Sequence, residues 1–134
     1  MLDFGDLNWL AIVVASAAGF ALGGVWYGFL FSKAWLEAVG KTEEELDTSG
    51  RPFIISTITS LVTAIVLAAL IHTIGFTSVT DGILLGLFTG VGLIATAMGS
   101  DSAFCGWGLR LFLIQSGYRV AYSVIMGAIL VVWQ

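Results

Sequence analysis

The residue of this chain that is most costly to place is Arg119, an arginine inside a long apolar segment. It lies about nine residues, and therefore about 13 Å along a helix, beyond Arg110. If the segment 109–133 crosses a bilayer, Arg119 lies near the bilayer centre. An arginine there costs about 2.5–3.5 kcal/mol on insertion scales unless it finds partners. We therefore expect Arg119 to face protein or water rather than lipid.

Polar side chains are expected to share the helix face of Arg119. At spacings of three and four residues, the polar members of this stripe are Gln115, Ser116, Tyr122 and Ser123. Side chains on a helix lean towards its N-terminus, so Arg119 should reach towards the level of Asp101 in the preceding turn. Hydroxyl side chains of the second apolar segment offer a complement, at Ser56, Thr59, Ser60 and Thr63.

Three interpretations of the stripe are open. It is a structural cluster of polar groups, a site for a substrate or an anion, or a proton relay. The relay is the least suited to an arginine, which stays protonated. The sequence has no Ser-His-Asp set, no clustered metal ligands and no phosphate-binding glycine loop before a lysine. We therefore predict a protein that is not an enzyme and has no cofactor and no metal site.

The elements that hold these residues are four apolar segments, at about 7–31, 53–74, 82–98 and 109–133. A spanning helix needs about 20 mostly apolar residues. The 134 residues are 58% hydrophobic and 10% charged, which is too little charge to cover a soluble domain. We predict an all-α membrane protein, with four transmembrane helices in one compact bundle that forms a single domain over residues 1–134.

The loop between the first two segments should be helical and should lie at the interface. The stretch from Lys33 ends at Gly40, and Thr42 with Glu45 has the spacing of a capping box, so loop helices are predicted over about 33–47. Gly50 and Pro52 are expected to start the second span.

Four of the five basic residues lie on the side of this loop, namely Lys33, Lys41, Arg51 and Arg110. Because basic loops stay in the cytoplasm, the loop should face inward and both termini outward. The predicted location is the bacterial inner membrane. The single cysteine, Cys105, should lie on the inner side, and nothing indicates binding to nucleic acid.

Small residues repeat every four positions in two of the segments. In lipid, such faces let helices approach closely. We predict that the first and third helices cross there, within one chain or between two. The residues are Ala11, Ala15, Gly19 and Gly23 in the first helix, and Gly82, Gly86 and Gly90 in the third.

Three short motifs carry a resemblance to a known family: Asn8-Trp9-Leu10-Ala11, the run from Leu22 to Tyr27, and Lys33-Ala34-Trp35. With Thr42–Glu45 and Arg51-Pro52-Phe53, they resemble the bacterial domain-of-unknown-function family numbered 1761. The resemblance implies a short integral membrane protein with about four spanning helices. It implies no catalytic or ligand residues, since the family has no settled activity. Members commonly have a proline soon after the Trp-Tyr pair, where this chain has Gly28-Phe29.

Two functional hypotheses follow. The first is a non-enzymatic membrane protein that works by association, as a homo-oligomer or as an accessory subunit with another membrane protein. The second is a small oligomeric transporter or channel for an anion or a neutral polar solute, centred on Arg119. In both hypotheses the lipid bilayer is a predicted partner.

Overall fold

The computed structural model describes residues 2 and 4–134, and helices make up most of them. Four helical segments are long and apolar enough to cross a membrane: Trp9–Leu30, Arg51–Ile74, Val79–Cys105 and Leu109–Val132. We refer to them as spans 1 to 4. The all-helical class and the four spans are as predicted, and the bounds of spans 1, 2 and 4 lie within about two residues of the predicted ones.

The helices of the chain are α1 (Trp9–Val25), α2 (Ser32–Val39), α3 (Arg51–Ile74), α4 (Val79–Thr89), α5 (Thr96–Cys105) and α6 (Leu109–Val132). Two π-helical segments complete spans 1 and 3. Trp26–Leu30 extends α1, and Gly90–Ala95 joins α4 to α5.

Span 3 is longer than predicted, and the prediction that it ends near residue 98 is wrong. A helix tolerates an internal glycine at a cost of about 1 kcal/mol, so Gly99 does not end it. The helix ends instead at Gly106, whose φ of 75° is left-handed and whose N–H donates to the carbonyl of Ser102. Asp101 and Cys105, predicted to lie in the following turn, are therefore residues of α5.

Span 4 is the central helix. Half of its most apolar stretch is buried, compared with 17% for span 3. Helix α6 contacts α1, α3 and α4, and its contact with α4 is the most extensive in the chain. The largest fully buried side chains, Tyr122, Met126, Ile12 and Ile71, fill the space between α6, α1 and α3.

The two small-residue faces pack against α6 and not against each other, so the predicted crossing of the first and third helices is wrong within this chain. A Cβ added to Gly19 would lie 2.8 Å from the Tyr122 ring, and one added to Gly23 would lie 2.9 Å from the Tyr118 hydroxyl. On the other side of α6, Gly82, Gly86 and Gly90 touch its backbone or its Val131 side chain. Ala11 and Ala15 are buried in the same core.

Predictions for the loop between spans 1 and 2 hold only in part. Helix α2 forms and ends at Gly40, which has a φ of 79°. The second loop helix is a single 3-10 turn over Glu43–Glu45 and does not continue to residue 47. The Thr42 hydroxyl donates to the Glu45 carboxylate at 3.2 Å and does not accept from an amide, so the capping box does not form. Pro52 lies in the first turn of α3, after Gly50.

Candidate functional site

Arg119 lies half-buried on α6 with its guanidinium over two neighbouring aromatic rings. The guanidinium carbon is 5.1 Å from the ring centre of Tyr118 and 5.2 Å from that of Tyr122. A cation over an aromatic ring is stabilised by about 0.5–2 kcal/mol. These two contacts therefore offset part of the cost of placing the cation inside an apolar segment.

The Arg119 guanidinium forms no hydrogen bond and no ion pair with the residues that the structure describes. An ion pair of the described residues joins Arg110 and Glu37, near the start of α6. The Arg119 guanidinium therefore forms no hydrogen bond with the polar stripe or with the hydroxyl groups of span 2 in the described residues. No polar side-chain atom of the described part is both inaccessible and without a partner. The guanidinium nitrogens of Arg119 are consequently accessible from outside the chain.

Both tyrosines are held by their hydroxyl groups. Tyr118 donates to the carbonyl of Gly19 at 2.8 Å, and Tyr122 donates to the carbonyl of Thr59 at 3.4 Å. These bonds fix the two rings against α1 and α3. The rings occupy space on α1 that side chains at positions 19 and 23 would fill, which is why Gly19 and Gly23 are needed there. The position of Arg119 is thus set by the packing of three helices.

Other aromatic side chains extend this cluster towards α2. The Tyr27 ring contacts those of Tyr118 and Trp35, with centroids 5.4 and 5.3 Å away. The indole N–H of Trp26 donates to the carbonyl of Ile114 at 2.9 Å. The sequence predicted Tyr122 as a neighbour of Arg119 but did not indicate that Tyr118, Tyr27 and Trp26 belong to the same cluster. The signal in the sequence for the contact between Tyr118 and Arg119 was that the two residues are adjacent. The orientation of the Tyr118 ring follows only from packing.

Two π-helical segments flank α6 near Arg119. Trp26–Leu30 carries the Trp26 and Tyr27 side chains, and Gly90–Ala95 begins at a glycine that packs on Val120. A Cβ on Gly90 would lie 2.9 Å from the Val120 Cα. Such segments are rare in helices and are frequent at functional sites. Their convergence on one part of α6 is a second reason to regard this region as the candidate site.

The remaining members of the predicted stripe are divided between two sides of α6. Gln115 accepts a hydrogen bond from the Trp35 indole at 3.3 Å, which ties α2 to α6. Ser123 faces span 3 at Gly90, and its hydroxyl donates to the carbonyl of Arg119 at 2.9 Å. Ser116 is buried. The stripe therefore does not line one pocket around Arg119.

Hydroxyl groups of span 2 do not complement the stripe as expected. Those of Thr59 and Thr63 donate to backbone carbonyls of α3 itself, at 3.0 and 2.9 Å. Ser60 is buried. The contact between the two polar sets is the bond from Tyr122 to the Thr59 carbonyl.

Asp101 is exposed on α5 and, among the described residues, forms no ion pair and no hydrogen bond through its side chain. Its neighbour Ser102 is the buried residue of α5. The expected approach of Arg119 to Asp101 within the chain is not observed. Cys105, one turn further along, is also exposed.

A groove of about 780 Å³ lies outside this cluster, beside α2. Its lining includes Lys33, Lys41 and Arg110 together with apolar side chains of Phe29 and Leu30. Arg110 is paired there with Glu37 at 3.3 Å, and both side chains are more than half exposed. In the part of the chain that the structure describes, no three metal-binding side chains cluster.

Comparison with known proteins places most of the chain in one group. A family model described as "Protein of unknown function (DUF1761)" matches residues 10–131. This match confirms the resemblance found in the sequence. No curated protein matches the chain, and no solved structure matches it.

Proposed function

The chain belongs to the DUF1761 family of proteins of unknown function, and we propose that it is a non-enzymatic membrane protein that works by association. The association is either with further copies of itself or with another membrane protein of a larger complex. The proposed location is the bacterial inner membrane, which all four spans cross.

The observation that carries this proposal is that Arg119 is a cation within an apolar span and has no ionic partner in the described chain. Its guanidinium nitrogens are accessible, and it has no anionic partner among the described residues. A cation in the middle of a bilayer faces protein or water and pairs with a polar or anionic group. The two tyrosine rings supply only part of that requirement. A second membrane protein that contacts this region would supply the rest.

The packing of the four spans also favours association. Large side chains fill the centre of the described chain, and Tyr122 and Met126 are fully buried there. Span 3 buries only 17% of its most apolar stretch, so most of that helix is free to contact lipid or a partner. Function at a surface between proteins fits this arrangement better than function in a private cavity.

The orientation that we propose places α2 in the cytoplasm and both chain ends outside. Support comes from Lys33, Lys41, Arg51 and Arg110, which lie at the end of the molecule that carries α2. At the opposite end, the Asn8 side chain donates to the carbonyl of Trp133 at 3.4 Å. The beginning of α1 and the end of α6 therefore lie on one side.

The test compares the native mass of three forms in a mild detergent. We expect the wild type to exceed the 14.2 kDa of one chain and Arg119→Leu to dissociate while keeping its helical circular-dichroism spectrum. Arg110→Leu is the control, because it removes a cation of the same helix that is exposed and already paired. Equal masses for wild type and Arg119→Leu would contradict the proposal.

A second candidate function rests on the same accessible cation. An arginine without a counter-ion binds anions or neutral polar solutes, so an oligomer of this chain could transport one of them along a path between subunits. Flux measurements in liposomes with the wild type and Arg119→Ala test it. If the wild type moves no solute, or if both proteins move it equally, this candidate fails.

A further inference from the structure

We infer that the partner of Arg119 is a second copy of this chain, whose Asp101 pairs with it inside the membrane. This inference rests on the proposed function and specifies its partner. By symmetry, Asp101 of the first copy pairs with Arg119 of the second, so that two chains share two ion pairs around a twofold axis.

The charge complementarity of the two residues carries the inference. Among the described residues, Arg119 is the one cation that lies within a membrane-spanning segment and away from its ends. Asp101 is an exposed acid on span 3, four residues before the end of that span. Within the described residues neither side chain has an ionic partner. Two opposite charges in an apolar medium are each costly alone, and pairing them removes much of that cost.

The depths of the two residues are compatible. Asp101 lies four residues before the end of α5, or about 6 Å along the helix, and Arg119 lies ten residues after the start of α6, or about 15 Å. Both helix ends lie on the side of α2. Because α5 and α6 run in opposite directions, the Asp101 side chain leans away from that side and the Arg119 side chain leans towards it. The two side chains therefore approach one another in depth.

The surface of α5 around Asp101 is suited to contact with a helix. Phe104, one turn from Asp101, is 92% exposed, and other exposed residues nearby, Ala97 and Ser100, are small. Small residues permit close approach of helices in lipid.

The orientation of Asp101 explains why it does not pair with Arg119 of the same chain. Ser102 faces the interior of the chain, and on a helix the adjacent Asp101 is rotated by about 100° from it. Asp101 is consequently exposed and the Arg119 guanidinium stays on the tyrosine rings. A second copy that lies along α5 would bring its own Arg119 to this carboxylate.

The first experiment removes or exchanges the charges and follows the dissociation constant of the full-length protein in liposomes, by energy transfer between labelled chains. Asp101→Asn should weaken association by roughly tenfold or more, as expected when one member of a buried charge pair is truncated. Asp81→Asn is the matched control, since Asp81 is the acid at the other end of span 3. The combined variant D101R/R119D should associate more tightly than either single reversal.

The second experiment does not depend on charge reversals that could prevent insertion. Two chains that both carry Cys105→Ser are given different affinity tags. One also carries Asp101→Cys and the other Arg119→Cys, and the mixture is treated in membranes with a short bismaleimide. We expect a crosslink between the two tags. A control with Phe88→Cys in place of Asp101→Cys, on the exposed opposite half of span 3, should give none.

The outcomes separate this inference from the proposed function. An oligomer that is indifferent to Asp101→Asn and gives no crosslink between the tags would overturn the homotypic pair and leave association intact. A pair formed within one chain would change the stability of the monomer and give no crosslink between tags, which also overturns it. A protein that is monomeric in all measurements would overturn both.

Discussion

Replacement of Gly86 by alanine tests the contact between α4 and α6 most sharply. An added Cβ would meet the carbonyl oxygen of Ser123 and would lie 2.6 Å from the Cα of Val124. Carbon atoms in contact are normally about 3.5–4.0 Å apart, so the two helices would have to separate by about 1 Å. Because both contacts are backbone atoms, a rotamer change cannot relieve them. Overpacking of this kind costs about 1–3 kcal/mol.

Gly92→Ala is the matched control, on the same span, where an added Cβ meets nothing within 4 Å. Both substitutions gain a similar helix propensity, so this gain cancels in the comparison. Gly86→Ala should therefore be about 1–3 kcal/mol less stable than Gly92→Ala, a factor of about 5 to 150 in the unfolding equilibrium.

The assay is reversible unfolding in mixed micelles with a rising fraction of denaturing detergent, followed by circular dichroism and by tryptophan fluorescence. Agreement of the two signals would indicate a two-state transition. Equal stability of the two variants would refute the close approach of α4 and α6 that underlies the fold described above.

Three further predictions concern single side chains. Tyr118→Phe removes the donor to the Gly19 carbonyl and should lower the free energy of unfolding by about 0.5–1.5 kcal/mol in the same micelle assay, whereas an unchanged value would mean that the bond is not formed. Glu37→Gln breaks an exposed ion pair and should change that free energy by less than about 1 kcal/mol, so a larger loss would show that α2 is held to α6 mainly by this pair. Cys105, exposed at the end of α5, should react with an impermeant thiol reagent in inverted vesicles and not in intact cells, and labelling in intact cells would reverse the proposed orientation.

Hydropathy predicted most of the fold because each span is a property of its own residues. The length rule finds four apolar segments without reference to their neighbours. It failed at the end of span 3, where Gly99, Ser100 and Asp101 lower the mean hydropathy but the helix hydrogen bonds continue to Gly106. The π-helical segments were also beyond prediction, since nothing in their composition separates them from α-helix.

Pairing of the spans could not be predicted, because small residues indicate close contact and not the identity of the partner. Gly19 and Gly86 were expected to let the first and third helices meet, and each packs on α6 instead. In the candidate site, the free-energy cost of placing Arg119 in a bilayer could be predicted from its position in an apolar segment. Its tyrosine neighbours were not, since their rings are positioned by hydrogen bonds to the backbones of α1 and α3.

The measurement that tests association most directly is the mass of the wild-type protein extracted from its membrane with its surrounding lipid, in polymer-bounded discs without detergent. Native mass spectrometry after release from the discs reads the assembly as it exists in the bilayer. We predict a complex larger than the 14.2 kDa of one chain, and a homotypic pair would give twice that mass. A single species of 14.2 kDa at every expression level would contradict the proposed function.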